Sequence, residues 1–329
     1  MRRHWSSLAL ALAMVLQIAV STVSAAETIR IALDWTPNTN HTGLFLAEER
    51  GYFEEEGVTV EIVQPGPTGS VHLVASGRCE FGISMQEYVT MARSQGVPIV
   101  SVAAILPHNT SGFAAPHDSG IQSPKDFEGR RYGGWGSELE EVMLRTVMER
   151  AGAEFGTVTM INIGTIDFVT AVRRDLADIF WIFYGWQGVH AEIEGIEFVY
   201  LPLIDLADVL DYYTPVVITS ERMIAERPAC VRSGLRAIAR GYVEAALAPV
   251  EGAEALLRAA PELDRELVIA SQQWVAERSE TDLSIWGRQD GDVWQRFAEW
   301  AVETGLIDAS IDPSLAFTNA FLPEGPDAP

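Results

Sequence analysis

The chain has 329 residues, with 46 Asp and Glu against 23 Lys and Arg and a formal net charge of −23. A surface this acidic repels nucleic acid and anionic lipid, and no basic stripe overrides it, so neither is expected as a partner. The length exceeds what one core usually holds and points to two domains. The two cysteines, Cys79 and Cys230, stand outside any Cys-x-x-Cys or Cys/His cluster and offer no zinc site.

The N-terminus reads as an export signal. Arg2 and Arg3 precede an apolar run from Leu8 to Val20, and Val23-Ser24-Ala25 supplies the small residues of a cleavage site. The run is short for a membrane span, which needs roughly 20 apolar residues. Residues 1–25 are therefore predicted to be removed. No cysteine near the cleavage point is available for lipid attachment, so a soluble periplasmic chain is expected. Losing Arg2 and Arg3 takes the formal charge to about −25. The basic residues are nearly all arginine; Lys125 is the sole lysine. In an oxidising compartment Cys79 and Cys230 either pair or remain buried free thiols, and both readings stand.

Short apolar strands then alternate with amphipathic helices, the pattern of an α/β fold with mostly parallel sheets. Strands are expected over Thr28–Leu33, Val58–Val63, Phe81–Met85 and Ile99–Ile105, with helices over Gly43–Arg50, Ser70–Ser76 and Gln86–Gln95. A second series begins near Gly112. It has strands over Arg131–Gly134, Val158–Ile163, Ala177–Phe183 and Phe198–Pro202, with helices from Ser137 to about Ala151 and over Ile166–Arg174. Ser137 and Glu140 form a capping box for the first of these helices. A strand at Pro215–Thr219 precedes a helical C-terminal part, expected to pack on the first series. The chain would cross between two lobes near Phe113 and near Thr214. Lobe 1 would hold residues 26–112 and 215–329, and lobe 2 residues 113–214, with a hinge between them.

In open α/β sheets ligands bind beyond the carboxyl ends of the strands. Four unusual segments fall there. Asp34-Trp35-Thr36-Pro37-Asn38-Thr39-Asn40-His41-Thr42-Gly43 is dense in donors and acceptors; a plain turn with a helix cap does not need all of them together. Gly133-Gly134-Trp135-Gly136-Ser137-Glu138 lets the backbone approach a ligand and lacks the lysine of a phosphate loop. Tyr184-Gly185-Trp186 follows a strand whose Trp181 and Phe183 read as core. Ser84-Met85-Gln86-Glu87-Tyr88 runs from a strand end into a helix, where ordinary capping is the competing account. Trp35, Trp135, Tyr184 and Trp186 would hold a planar ring by stacking. Asp34 or Glu138 would accept from an exocyclic amine, and Asn38, Asn40 and His41 would read ring nitrogens or a carbonyl. Ser84 and Tyr88 complete the candidate set.

The run Leu33–Gly43, followed by Ala47 and Gly51-Tyr52-Phe53, closely resembles the bacterial binding proteins of thiamine-pyrimidine salvage importers. Gly133–Ser137 and Ser76-Gly77 with Phe81-Gly82 fit the same family. The resemblance implies the two-lobed periplasmic binding protein fold, type II-like, and a ligand of the formylaminopyrimidine or hydroxymethylpyrimidine type. It implies an ABC permease and ATPase as partners, a monomer, no cofactor and no catalysis. A riboflavin-uptake branch shares the opening motif, so riboflavin or another flat heterocycle is the alternative cargo. Fungal thiamine-pyrimidine synthases resemble the chain as well. They carry a cofactor lysine and a sacrificial histidine where this chain has Ser84 and Tyr88, and a cysteine-rich run that is absent here. A Schiff-base cofactor needs a lysine, and Lys125 sits in a surface-like turn. No Gly-x-Ser-x-Gly elbow or His-Glu-x-x-His frame supports a hydrolase.

Overall fold

A computed structural model describes residues 27–64, 66, 68–308 and 311–323. The export signal lies outside the described residues. Ten strands follow in chain order: β1 Glu27–Ala32, β2 Val58–Val63, β3 Phe81–Ser84, β4 Ile99–Ala104, β5 Ser111–Pro116, β6 Arg131–Gly134, β7 Thr159–Asn162, β8 Ile179–Phe183, β9 Phe198–Pro202 and β10 Val216–Ser220. They form two five-stranded sheets, ordered β2-β1-β3-β10-β4 and β7-β6-β8-β5-β9. Helices cover both, so the molecule is a two-lobed α/β protein. Each expected strand is present within about two residues. Strand β5 was not foreseen: Ser-Gly-Phe-Ala-Ala is buried throughout, so it shows no alternation to read.

The expectation of mostly parallel sheets needs one correction in each. Strands β1, β2 and β3 run parallel, but β10 is antiparallel to both β3 and β4. In the second sheet β6, β7 and β8 run parallel, and β5 is antiparallel to both β8 and β9. The reversed strand is in each case the first one laid down after a crossing. In each sheet the crossing chain enters at the carboxyl end of the neighbouring parallel strand, Val216 opposite Ser84 and Ser111 opposite Phe183, so the strand it forms runs against that neighbour. The two sheets share one topology.

Two clusters enclose the first sheet. One packs Ile29, Ile31 and Phe81 against Val231, Leu235 and Ile238 of the helix Pro228–Leu247, with Leu256 and Val268 from the next two helices. The C-terminal helix Gly291–Glu303 departs from the expectation that all late helices serve lobe 1. Its Trp294 packs in a first-sheet cluster, while Phe297, Trp300 and Ala301 enter the core of the second sheet with Phe113 and Tyr132. The helix obeys a 3.6-residue period, but its apolar stripe is wide enough to cover two cores.

The chain crosses between sheets over residues 105–110 and returns over residues 211–215. Asn109, 2% exposed, stitches these passages together. Its side-chain amide donates to the Leu210 carbonyl at 2.8 Å, and its backbone amide donates to Asp211 Oδ1 at 3.1 Å. Gln86 clips the second passage to the helix Gln86–Ser94. Its amide donates to the Tyr213 carbonyl at 3.0 Å and its Oε1 accepts from the Tyr213 amide at 2.9 Å. Cys79 and Cys230 are free and buried, which settles the choice between pairing and free thiols. Burial pushes both thiols up, Cys230 to about 11, so neither is an activated nucleophile.

Candidate functional site

The loop after β1 is held by its own side chains. Asn38 Oδ1 accepts from the Asn40 amide at 2.9 Å and caps the short helical turn Thr39–His41. His41 Nδ1 accepts from the Asn38 amide at 3.2 Å. That acceptor role fixes the tautomer, so the other ring nitrogen carries the hydrogen and Nε2 donates to Asp34 Oδ1 at 2.6 Å. His41 is fully buried and Asp34 nearly so, whereas Trp35 projects with 55% of its surface exposed. The Asn40 carbonyl accepts from Tyr242 Oη at 2.7 Å. Thr39 Oγ1 lies 2.6 Å from Ser271 Oγ, and Ser271 Oγ donates in turn to the Gly185 carbonyl.

The loop after β6 is held by a buried carboxylate. Glu140 Oε1 accepts from Tyr132 Oη at 2.8 Å and from the Trp135 amide at 3.2 Å, while Oε2 accepts from the Ser137 amide at 2.9 Å. A Cβ on Gly134 would sit 1.9 Å from Glu140 Oε1, and Gly136 has φ +83°, so the two glycines are what allow this turn. The turn presents Trp135, 37% exposed, stacked on Trp181 at 5.1 Å between ring centres. Trp181 itself is 5% exposed, and its indole N–H has no partner among the described residues. Glu138 is exposed at the first position of the helix Glu138–Arg150, where a negative charge suits the helix dipole.

The segment after β3 joins these two loops. The charges of Glu87, Glu140 and Asp34 all act on Tyr88, which places residues of both sheets within electrostatic reach of one phenol. Loss of solvent and these carboxylates push Tyr88 up to about 12, so it is a neutral donor. Ser84 is 1% exposed, and its hydroxyl has no partner among the described residues. Glu87 is fully buried and neither carboxyl oxygen has a hydrogen-bond partner among the described residues; its own amide leans on it without reaching bonding geometry. Burial pushes its carboxyl up to about 8, against the pull of that amide, and the Asp34 charge adds to the rise.

The structure thus brings together Asp34, His41, Ser84, Tyr88 and, through Glu140, the turn that carries Trp135. Tyr184 and Trp186 sit differently. They belong to a single π-helical turn, Tyr184–Gly188, docked on the helix Arg265–Ala276. One face of Tyr184 stacks on Trp274 at 5.2 Å, Tyr200 meets it edge-on at 4.7 Å, and its hydroxyl donates to Glu192. Trp186 packs against the first-sheet core. An open hollow of about 480 Å³ adjoins Tyr184, lined also by His117, Phe198 and Tyr200; none of Asp34, His41, Glu87 or Trp135 lines it. Sequence reasoning passed over Glu87, Ser271 and Trp274. A signal for Glu87 was available: in Gln86–Ser94 the polar Glu87 and Thr90 fall three residues apart, on one helix face.

No helix among the described residues is long and apolar enough to cross a membrane, and no cluster of His, Cys, Asp and Glu among them could hold a metal ion. The architecture is that of the periplasmic binding proteins. The aliphatic sulphonate binding protein SsuA of Escherichia coli superposes with a TM-score of 0.72 over 92% of this chain and 96% of its own, at 16% identity. The chain belongs to the NMT1/THI5-like family, whose pattern matches residues 38–252. It is similar to the formylaminopyrimidine-binding protein of Halalkalibacterium halodurans, 32% identical over 90% of this chain and 91% of that one. It is similar also to the 4-amino-5-hydroxymethyl-2-methylpyrimidine phosphate synthase of Legionella pneumophila, 27% identical over 91% and 93% of the two chains. The riboflavin-binding protein RibY of Chloroflexus aurantiacus is 25% identical over 91% and 87%.

Proposed function

We propose that this protein is the periplasmic solute-binding component of an ABC importer and that its cargo is a thiamine pyrimidine precursor of the formylaminopyrimidine type. The observation that carries the reading is the 32% identity to a formylaminopyrimidine-binding protein along nine-tenths of both chains. The cluster supports it chemically: Trp135 offers an exposed ring on a stacked support, and Asp34, Tyr88 and Ser84 offer polar groups at strand ends of the other sheet. The first sheet with its helices forms one lobe and the second sheet with its helices the other, the helix Gly291–Glu303 contributing to both cores, and in this reading closure about the two passages brings the lobes onto the ligand. Transfer to a permease and its ATPase follows, with the protein acting as a monomer and without catalysis. A synthase role is disfavoured by Ser84 and Tyr88, which stand where the resembling fungal enzymes carry lysine and histidine.

The test is a tryptophan-fluorescence titration of the purified protein with formylaminopyrimidine, thiamine and riboflavin in turn. Saturable quenching by the pyrimidine is expected. In Trp135→Ala the affinity should fall about tenfold or more, as expected for a lost stacking partner and its buried area. Quenching by riboflavin with silence from the pyrimidine would move the cargo to the flavin branch, which the RibY similarity makes the second reading. Product formation on incubation with pyridoxal phosphate would overturn the binding role.

A further inference from the structure

Buried polar groups in native proteins are almost always paired, and an exception calls for an explanation. Among the described residues such exceptions concentrate in one short segment: Ser84 Oγ, both carboxyl oxygens of Glu87, and Thr90 Oγ1. Helix capping does not account for them. A glutamate near a helix start ordinarily serves the dipole from the surface, yet Glu87 is fully buried. Packing does not account for them either, since a hydrocarbon of similar volume would fill the same space at lower cost. The groups facing Glu87 are Asp34, Tyr88 and Tyr212. Asp34 is already bound to His41. Tyr212 is 1% exposed, whereas Tyr88, the next residue in the chain, is 40% exposed.

We propose that Glu87 is the residue that selects the ligand, pairing through its carboxyl with the heterocycle edge where a ring nitrogen stands beside an exocyclic amine. The assignment rests on the solute-binding reading above and adds to it the group that reads the ring. The carboxyl is held neutral, so its O–H donates to the ring nitrogen while its C=O accepts from the amine. One proton is shared and both oxygens are satisfied. Tyr88 and Tyr212 are raised too far to titrate near neutrality, and the proposed pairing requires the Glu87 proton. The sign follows. Binding is full below the raised value of about 8 and weakens as pH rises through it. One pH unit above that value the affinity is lower by about tenfold.

Calorimetric titration with formylaminopyrimidine between pH 6.5 and 9.5 tests this on the natural protein, Glu87→Gln and Glu87→Met, each checked for folding by thermal melting. A glutamine copies the neutral acid, one donor beside one acceptor. Glu87→Gln is expected to bind within about threefold of the natural protein at pH 7 and to lose the decline at high pH. Glu87→Met is expected to bind at least thirtyfold more weakly at every pH while melting no lower, an effect on the order of 2 kcal/mol. If the natural protein binds the pyrimidine but both variants match it across the pH range, the Glu87 assignment is overturned and the cargo stands. If the natural protein binds no pyrimidine at all, the cargo reading fails and the assignment with it.

Discussion

Two loops leave adjacent strands of the same sheet and handle polar groups in opposite ways. After β1, the run Asp34–His41 carries a conspicuous density of polar side chains, and most are spent within the run, Asn38 on Asn40 and His41 on Asn38 and Asp34, or on a neighbouring helix, Thr39 on Ser271. After β3, the segment from Ser84 to Thr90 looks ordinary in sequence but holds buried oxygens with no partner among the described residues. A dense polar motif can thus be the means by which a loop makes itself rigid. The capacity to bind is read from what stays unmatched after that internal accounting.

The largest expected effect concerns the second loop. Glu87 is raised to about 8, so the folded protein keeps a proton that the unfolded chain releases near the ordinary glutamate value. Its cost to stability is absent at low pH, grows as pH rises through the unfolded value, and levels off above the folded one. Against Glu87→Gln, urea unfolding should show a gap that widens by about 1.4 kcal/mol per pH unit from pH 5 to pH 8, on the order of 4 kcal/mol in all. A gap that stays constant with pH would erase the contrast between the loops. The first loop should respond in the opposite sense. His41→Ala leaves a buried carboxylate and the Asn38 amide without their partner, and should lower stability by about 2 to 3 kcal/mol in the same assay. A neutral outcome would mean that the self-contained loop is not so tightly bound together. The smallest effect is at Ser271→Ala, which cuts the relay from Thr39 to the Gly185 carbonyl. It should cost about 1 kcal/mol and speed amide exchange in residues 184–188 selectively.

Much of the fold was legible because strands and helices announce themselves by period. The capping box at Ser137 and Glu140 and the strand ends follow from local pattern, whereas Phe113, the expected place of the first crossing, falls inside β5. The wider role of Glu140 was not: in sequence it is a capping partner, and only the folded chain shows that the same carboxylate also receives Tyr132 and the Trp135 amide. The antiparallel strands β5 and β10 were hidden because strand direction is set by where the chain enters a sheet, which composition does not record. In the candidate site, Asp34, His41, Tyr88 and Trp135 stand out in the sequence because their residue types are unusual at strand ends. Glu87 was passed over because the helix Gln86–Ser94 inverts the usual pattern, with Tyr88 outward and Glu87 and Thr90 inward. For Tyr184 the sequence leaves a cleft-facing and a packing role equally open, and Trp274, far away in sequence, occupies one face of it.

The place of β10 sets an order on how the molecule can be assembled. It lies between β3 and β4, so β4 has no edge to join until Val216–Ser220 has been made. The second sheet, by contrast, is drawn from one unbroken stretch, Ser111 to Pro202. Even so, its apolar core is closed by Phe297 and Trp300 from the last long helix. An emerging chain therefore stays open in one half for want of a strand and uncovered in the other for want of a helix, until almost all of it is present.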